Sequence, residues 1–348
     1  MIKYNPDLYG MAFTYDEFHG MPWKQIGNSG LRAPVIGLGA WKFGYPETGD
    51  GARVTEKEAL ALLDKAWEEG VLLWDTANRY NASSGNSERV LGTWFVKNPE
   101  KRRDVILCTK MFGSMDGKTP NHCRLSRNNI KDAVYACLER MQTDYIDLLY
   151  FHQFDAYTPV EESLSAIEDL VAGDYIRYLG VSNFSKENME LYEKTSNSMS
   201  IRTRVVAVQN KFDLLHGEYA PNDGVLDFCA KHNVAFIPHG PLASGLLTDR
   251  YLDASKVGKG DRLFDEGTYD PGAMRSELEK VAAIKDLASE YDMTVSEMSL
   301  AYMLTLDGMG CQIPGATSTE QLVSNAKAGK VTLSDDARKG MKRITGIG

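Results

Sequence analysis

Four side chains in this 348-residue chain, Asp75, Tyr80, Lys110 and His152, are of the types that together make a proton-donor device. A phenol titrates near about 10 and is a poor acid at neutral pH. An ammonium within hydrogen-bond reach stabilises the phenolate and lowers that value. The ammonium must stay charged in a partly buried site, which a carboxylate beside it achieves. A neutral imidazole can donate a hydrogen bond to a carbonyl oxygen and orient it. Such a device protonates an oxygen while something else attacks the carbon. With no catalytic cysteine motif or metal cluster in the sequence, a hydride donor is the natural partner. Taken singly, each residue has a plainer reading: a tyrosine packs, a strand-end lysine is solvated, a lone histidine is satisfied in a core.

The argument for convergence lies in where these residues fall. VLLWD ends in Asp75, VILCTK in Lys110, IDLLYFH in His152, IRYLGVSN in Ser182 and Asn183, VVAVQN in Gln209 and Asn210, and VAFIPHG in His239. Short continuous apolar runs suit strands buried on both faces. The runs recur at about the spacing of one strand-helix-strand unit. Parallel strands that deliver polar side chains from one rim describe the active face of a (β/α)8 TIM barrel in the α/β class.

A hairpin turn at Asn28-Ser29-Gly30 is expected to cap the barrel floor before a first strand at Val35 to Leu38. Thr55 and Glu58 form a capping box for a helix over 55–69, whose stripe is Leu60, Leu63 and Trp67. Further helices are expected at 86–97, at 126–142 behind Ser126, at 159–172 with Pro159 in the first turn and Gly173 as stop, at about 185–196 and about 222–232, and at 275–291 and 294–306. A last strand at Cys311–Ile313 precedes a final helix opened by TSTEQLVSNAKA. The stretch 248–273 is long, charged and Gly-containing, and reads as a structureless lid loop. GLGAW has G-x-G without the third glycine, so it is no sign of a Rossmann fold. Residues 1–22 read as an N-terminal extension and 23–348 as a single barrel domain.

A net charge of −9 without a basic stripe argues against nucleic acid or an anionic membrane as partner. Five scattered cysteines with no C-x-x-C pair predict reduced thiols and no metal site. Without an apolar signal core or a membrane-length apolar run, a cytoplasmic protein is expected.

Ordered motifs spread over about Trp23 to Lys330 carry a resemblance: GNSGLRAPVIGLGAW, DTANRYNASSGNSERVLG, SRNNIKDAV with TDYIDLLYFHQFD, GVSNFS, VQNKFDLL, GPLASGLLTDRY and IPGATSTEQLVSN. The chain resembles the aldo-keto reductase superfamily, most closely the branch of bacterial reductases and potassium-channel β subunits. The resemblance implies Tyr80 as general acid, Lys110 and Asp75 as its tuning pair, and His152 as the carbonyl-orienting group. It implies that Ser182, Asn183 and Gln209 hold the nicotinamide carboxamide, a task that a hydroxyl and two amides suit chemically. It adds Gly39, Ala40, Trp41, His239, Pro241, Leu242, Ser244, Gly245, Leu247, Arg250, Arg262, Gly315, Ser318, Gln321 and Asn325 to the cofactor site. The N-terminus of the final helix suits phosphate. Trp41, Tyr45, Phe112, Gln153 and Phe154 are the expected substrate wall. His239 departs from the aromatic usual in the family, Gly315 and Gln321 replace common basic residues, and Ser324 replaces a common glutamate. Gln153, where many relatives have tryptophan, implies a more polar pocket.

The implied activity is NADPH-dependent reduction of aldehydes or ketones, with NADH possible as cofactor and a small carbonyl compound as substrate. A contrasting reading is a cofactor-loaded, redox-sensing subunit with little turnover. A third, a sugar-phosphate isomerase on the same barrel, has no use for a Tyr–Lys–Asp set. Neither the oligomeric state nor the identity of the carbonyl compound is encoded in any motif.

Overall fold

The computed structural model describes residues 16–348. Three short antiparallel strands, β1 (Glu17–Phe18), β2 (Met21–Gln25) and β3 (Arg32–Pro34), open the described chain. The β2–β3 turn spans the expected Asn28-Ser29-Gly30. Ile26 and Ala33 from this hairpin are fully buried against Leu73, Ile106 and Leu148. These three come from the early parts of parallel strands, so the hairpin plugs the end of the sheet remote from the polar strand ends. Part of the 1–22 stretch thus lies in this small sheet, with Met21 in the core; residues 1–15 lie outside the described part.

The parallel strands follow in chain order: β4 (Leu38–Gly39), β5 (Leu73–Asp75), β6 (Ile106–Met111), β7 (Ile146–Phe151), β8 (Ile176–Ser182) and β9 (Val205–Asp213). An antiparallel β10 (Gly217–Glu218) extends β9 past the rim, and β11 (Ala235–His239) pairs parallel to β9. The segment expected as a last strand forms only isolated parallel bridges: Met309 to Phe236 on one side, Gln312 to Ile36 and Gly315 to Gly39 on the other. Pro314 lacks the N–H that a continuous ladder needs here. Residues 35–37 hydrogen-bond to this segment, Gly37 N donating to Gln312 O and Gln312 N to Val35 O, which leaves β4 shorter than Val35–Leu38 suggested.

Helices lie around the curled sheet, most of them on its outside. They are α1 (Glu56–Glu68), α2 (Tyr80–Ser83), α3 (Asn86–Lys97), α4 (Arg127–Met141), α5 (Val160–Ala172), α6 (Lys186–Ser198), α7 (Val225–His232), α8 (Arg262–Asp265), α9 (Arg275–Ser289), α10 (Val295–Met303), α11 (Thr319–Gly329) and α12 (Asp335–Thr345). Half of them begin at a side-chain cap. Thr55 and Glu58 close a capping box on α1, and Ser126 and Ser185 accept from the third helical N–H of α4 and α6. The buried face of α1 is Ala59, Leu62, Leu63 and Ala66; Leu60 and Trp67 lie at its edge, half-buried. The stretch 248–273 is not structureless. Thr248 and Asp253 each accept from a nearby N–H to start 3-10 turns at Asp249–Leu252 and Ala254–Lys256, and buried Tyr251 accepts from Leu263 N to anchor α8. A further helix, α12, follows the one expected to be last.

Alternation along each strand sorts the core into two layers. Inward-facing Leu73, Ile106, Cys108, Leu148, Tyr150, Ala207, Ile237, Cys311 and Ile313 fill the curl. Outward-facing residues such as Trp74, Leu107, Leu149 and Phe151 pack under the helices. The outer layer holds a buried charged knot: Glu88 of α3 accepts from Thr109 Oγ1 of β6 at 2.6 Å and from Arg140 Nε of α4 at 2.6 Å. Inside, Tyr150 lies flat against Gly180, where an added Cβ would come within 2.4 Å of its ring and 3.2 Å of Ala207 O. Gly180→Ala is therefore expected to destabilise the protein by about 1–3 kcal/mol through overpacking of this immobile ring, seen as a lower denaturation midpoint in urea; an unchanged midpoint would mean that the ring has room to move.

Candidate active site

Asp75, Lys110, His152, Ser182, Gln209 and His239 all stand at the C-terminal ends of neighbouring strands, so the sheet registers bring them to one rim. Tyr80 arrives differently. The chain after β5 runs Thr76–Arg79 with Asn78 N bonded to Lys110 O, then enters α2 through three successive left-handed residues, Asn81, Ala82 and Ser83. Buried Asn81 donates to Phe43 O at 2.6 Å and fixes that turn. Strained backbone of this kind persists where its surroundings over-determine it, and such residues cluster at functional sites.

Lys110 is the centre of the arrangement. Its Nζ donates to Asp75 Oδ2 at 2.6 Å, to Tyr80 Oη at 2.7 Å and to Thr76 O at 2.8 Å, which uses all three ammonium protons. Asp75 also accepts from Gln209 Nε2 on Oδ1 at 2.9 Å, while Tyr80 Oη lies 3.4 Å from Oδ2. Lys110 and Asp75 are almost wholly buried. Burial pulls the Lys110 ammonium down, and the Asp75 charge opposes that shift.

The electrostatic outcome at Tyr80 differs from the sequence expectation. Burial first, then the charge and hydrogen bond of Asp75, push the hydroxyl well above the ordinary phenol range. The carboxylate that keeps Lys110 charged also repels a phenolate, which the sequence argument counted only in the lysine's favour. Tyr80 is thus held firmly in its protonated form. Burial, helped by the nearby Lys110, His239 and Arg79 charges, brings His152 down to about 3, and the imidazole is neutral as expected. His239 is drawn to about 4, mainly by burial.

Around this cluster the expected cofactor residues separate into groups. Ser182 Oγ donates to Gln209 O at 2.8 Å and receives Asn183 Nδ2 at 3.1 Å; Asn183 Nδ2 also reaches His152 O at 2.9 Å, and Asn183 Oδ1 lies 3.2 Å from His239 Nε2. One polar chain therefore joins four strand ends. After His239 the backbone takes left-handed conformations at Gly240, Ala243, Ser244 and Gly245, beside buried Pro241, half-buried Leu242 and wholly buried Leu247. Gly39 bridges Gly315, with buried Ala40 following. Ser318 caps α11, exposed Gln321 turns back to accept from Thr317 N at 2.9 Å, and Asn325 is buried on the same helix. Ser324 donates to the Glu297 carboxylate at 3.0 Å, so α10 supplies an acid beside that position. Arg250 pairs with Asp261, and Arg262 pairs with Glu266 while stacking 4.8 Å over the Trp41 ring.

The expected substrate wall is brought together only in part. Trp41 lies 6.3 Å from the Tyr80 ring, and Tyr80 lies 6.0 Å from the His152 ring, forming an aromatic line at the mouth. Phe112 is half-buried against the core, and Gln153 is exposed. Tyr45 instead donates to Glu56 Oε2 at 2.5 Å, and burial with that carboxylate pushes it up to about 12. Phe154 packs on Phe184 and Tyr192 between helices. Thr76, Asn81 and Tyr150 also shape the site without having been singled out; the first contributes only a backbone carbonyl, which no sequence signal reveals.

The donor set fits a nicotinamide. The amides of Asn183 and Gln209 and the Ser182 hydroxyl lie on adjoining strand ends, and exposed Gly240 and Gly315 leave their Cβ positions open, Gly240 with nothing within 4 Å and Gly315 with only Gly39 O at 3.7 Å. Among the described residues no cluster of His, Cys, Asp or Glu could hold a metal ion, and no helix is long and apolar enough to cross a membrane.

Known proteins are similar to this chain over most of its length. The family profile described as "Aldo/keto reductase family" matches residues 35–345. An aldo-keto reductase of Alternaria alternata is 32% identical, covering 90% of this chain and 89% of its own length. A probable voltage-gated potassium channel subunit beta of Oryza sativa subsp. japonica is 30% identical over 88% of this chain and 91% of its own. The L-glyceraldehyde 3-phosphate reductase of Escherichia coli K12 is 27% identical over 93% and 89%. With a profile match over most of its length and relatives of this coverage, the chain belongs to the aldo/keto reductase family.

Proposed function

We propose that this protein is an NADPH-dependent reductase of aldehydes or ketones, working on a closed (β/α)8 barrel. The observation that carries the reading is the Tyr80–Lys110–Asp75 cluster, a protonated phenol fixed at 2.7 Å by a saturated, paired ammonium. Closure of the barrel is supported by the bridges that the 309–315 segment makes to β11 and to the 36–39 segment.

Ser182, Asn183 and Gln209 would hold the nicotinamide carboxamide, with His239 beside the ring and the 240–245 loop and the α11 N-terminus toward the phosphates. The chemistry the cofactor supplies when bound is a hydride for the carbonyl carbon. A neutral His152 donates a hydrogen bond that orients the carbonyl oxygen. Tyr80 Oη gives its proton to that oxygen, and Lys110, fixed by Asp75, stabilises the phenolate left behind. The weak 3.4 Å contact of Tyr80 with Asp75 leaves the hydroxyl free to turn to the substrate.

Tyr80→Phe is expected to lower kcat for carbonyl reduction by about 100-fold or more while leaving the affinity for NADPH nearly unchanged; near wild-type turnover would remove Tyr80 from the acid role. The pH profile is expected to be flat between pH 5 and 9. His152, depressed to about 3, is already neutral above that value, and Tyr80, raised above its ordinary range, loses its proton only at higher pH. A limb near pH 6.5 in kcat/KM would show that His152 titrates as an ordinary imidazole. Titration with NADPH and NADH, followed by quenching of tryptophan fluorescence, should show binding with NADPH preferred; binding of neither would sink the reading.

A second reading is favoured by the relatives named as potassium channel β subunits in Oryza sativa subsp. japonica and Arabidopsis thaliana. On it the same barrel binds the cofactor and reports redox state to a partner with slow turnover. Tight NADPH binding combined with negligible reduction across an aldehyde panel would favour that alternative.

A further inference from the structure

Arg79 lies next to Tyr80 in the chain and is exposed, yet it is not splayed into solvent. Its Nε donates to Ser83 Oγ at 2.9 Å, within the left-handed turn that follows Tyr80. Its guanidinium lies across Gly113, just beyond β6: a Cβ added at Gly113 would fall 2.3 Å from Nη1 and 2.9 Å from Cζ. No side chain but hydrogen at position 113 allows that placement. Arg79's charge is also one of those that bear on His152. The guanidinium is thus held at the mouth, on the side of Gly113 and His152.

Its partner is a neutral hydroxyl. Among the described residues no carboxylate lies within ion-pair distance of Arg79, whereas Arg53, Arg250 and Arg262 each have one, in Asp265, Asp261 and Glu266, and Arg124, beside Phe112, lies over the Tyr157 ring instead. In a chain with nine excess negative charges, an arginine ordered beside the proton donor and left without a carboxylate is available to an incoming anion. A guanidinium is suited to this because its planar donors meet carboxylate or phosphate two at a time. Among the described residues its Nη1 and Nη2 meet no acceptor, and only Nε is engaged, by Ser83.

We propose that Arg79 is a specificity-determining residue that selects carbonyl substrates bearing an anionic group, carboxylate or phosphate, and holds that group at the mouth while the carbonyl lies between Tyr80 and His152. The inference rests on the reductase reading and deepens it. Gln153, next to His152 in the chain, is also exposed. Trp41, beside Tyr80 and under the Arg262 guanidinium, would receive the uncharged part of the molecule.

The test pairs aldehydes that differ in charge: 4-carboxybenzaldehyde against 4-methylbenzaldehyde, and glyceraldehyde 3-phosphate against glyceraldehyde, each with wild type, Arg79→Met and Arg79→Lys. Wild type is expected to prefer the charged member of at least one pair by about 10-fold to 100-fold in kcat/KM. Which pair shows it tells carboxylate from phosphate. Arg79→Met should bring that ratio to near one through KM, and Arg79→Lys should restore part of it. A ratio unchanged in Arg79→Met, or no preference in wild type, overturns the proposal even while neutral aldehydes are reduced and the reductase reading stands. If wild type reduces no aldehyde, that reading fails instead. Binding then decides the role of Arg79: benzoate and phenyl phosphate, followed by tryptophan fluorescence, should bind Arg79→Met about 10-fold more weakly than wild type, and equal affinities would overturn the assignment.

Discussion

An ammonium that is almost wholly out of water sets the terms for everything around it. Lys110 sits inside the curl of the sheet, and a lone buried charge of that kind would be costly enough to lose its proton or unfold its surroundings. Asp75 offsets the cost from the neighbouring strand, and Thr76 O and Tyr80 Oη take the remaining donors. Removing either charge of a buried pair typically costs about 3–5 kcal/mol, because the other is left uncompensated. The phenol is therefore not merely near the lysine. It is one of three ligands that complete the lysine's shell, and its placement follows from that requirement. Gln209, from the far side of the curl, occupies the remaining carboxylate oxygen, so the charged centre ties β5, β6 and β9 together.

Positioning beyond the strands depends on local backbone chemistry. The strand ends deliver Asp75, Lys110, His152 and Gln209 by register alone, but Tyr80 must turn back over the rim within five residues of β5. The left-handed run Asn81–Ser83 achieves this, with Asn81 bonded to Phe43 O as its anchor. The same turn directs Arg79 outward across Gly113. One short, strained segment thus aims both the hydroxyl and the guanidinium, and links the site's chemistry to its mouth.

Much of this was legible because buried strands and capped helices leave local signatures. Apolar runs ending in Asp75, Lys110, His152, Gln209 and His239 marked the rim, and the caps at Thr55 and Ser126 marked helix starts to within a residue. What was not legible depends on contacts between distant residues. Nothing near Gln209 signals a bond to Asp75, 134 residues away. Tyr80's raised affinity for its proton reflects the balance of burial and two opposite charges, which a list of residue types cannot weigh. The stretch 248–273 looked unstructured because its order comes from isolated caps and from Tyr251 and Leu263 packing inward, without periodicity. The α12 helix was passed over because its buried face, Ala337, Gly340, Met341 and Thr345, is small and sparsely apolar. Tyr45 and Phe154 carry the right chemistry for a pocket wall, but Glu56 holds one and an aromatic cluster between helices holds the other.

The two faces of β6 carry different polar demands at adjacent positions. Thr109 points outward to Glu88, and Lys110 points inward to Asp75. Sliding the strand by one residue would exchange them, presenting a hydroxyl to the inner carboxylate and forcing the lysine among the helices. Asp75 would then lose its ion-pair partner, and Glu88 the hydroxyl it accepts from. In an apolar strand a slipped register merely repacks, but here it is heavily penalised. The outer knot of Glu88, Thr109 and Arg140, on the face away from the strand-end cluster, therefore acts as a ratchet tooth that favours the one alignment of the sheet in which Lys110 meets Asp75.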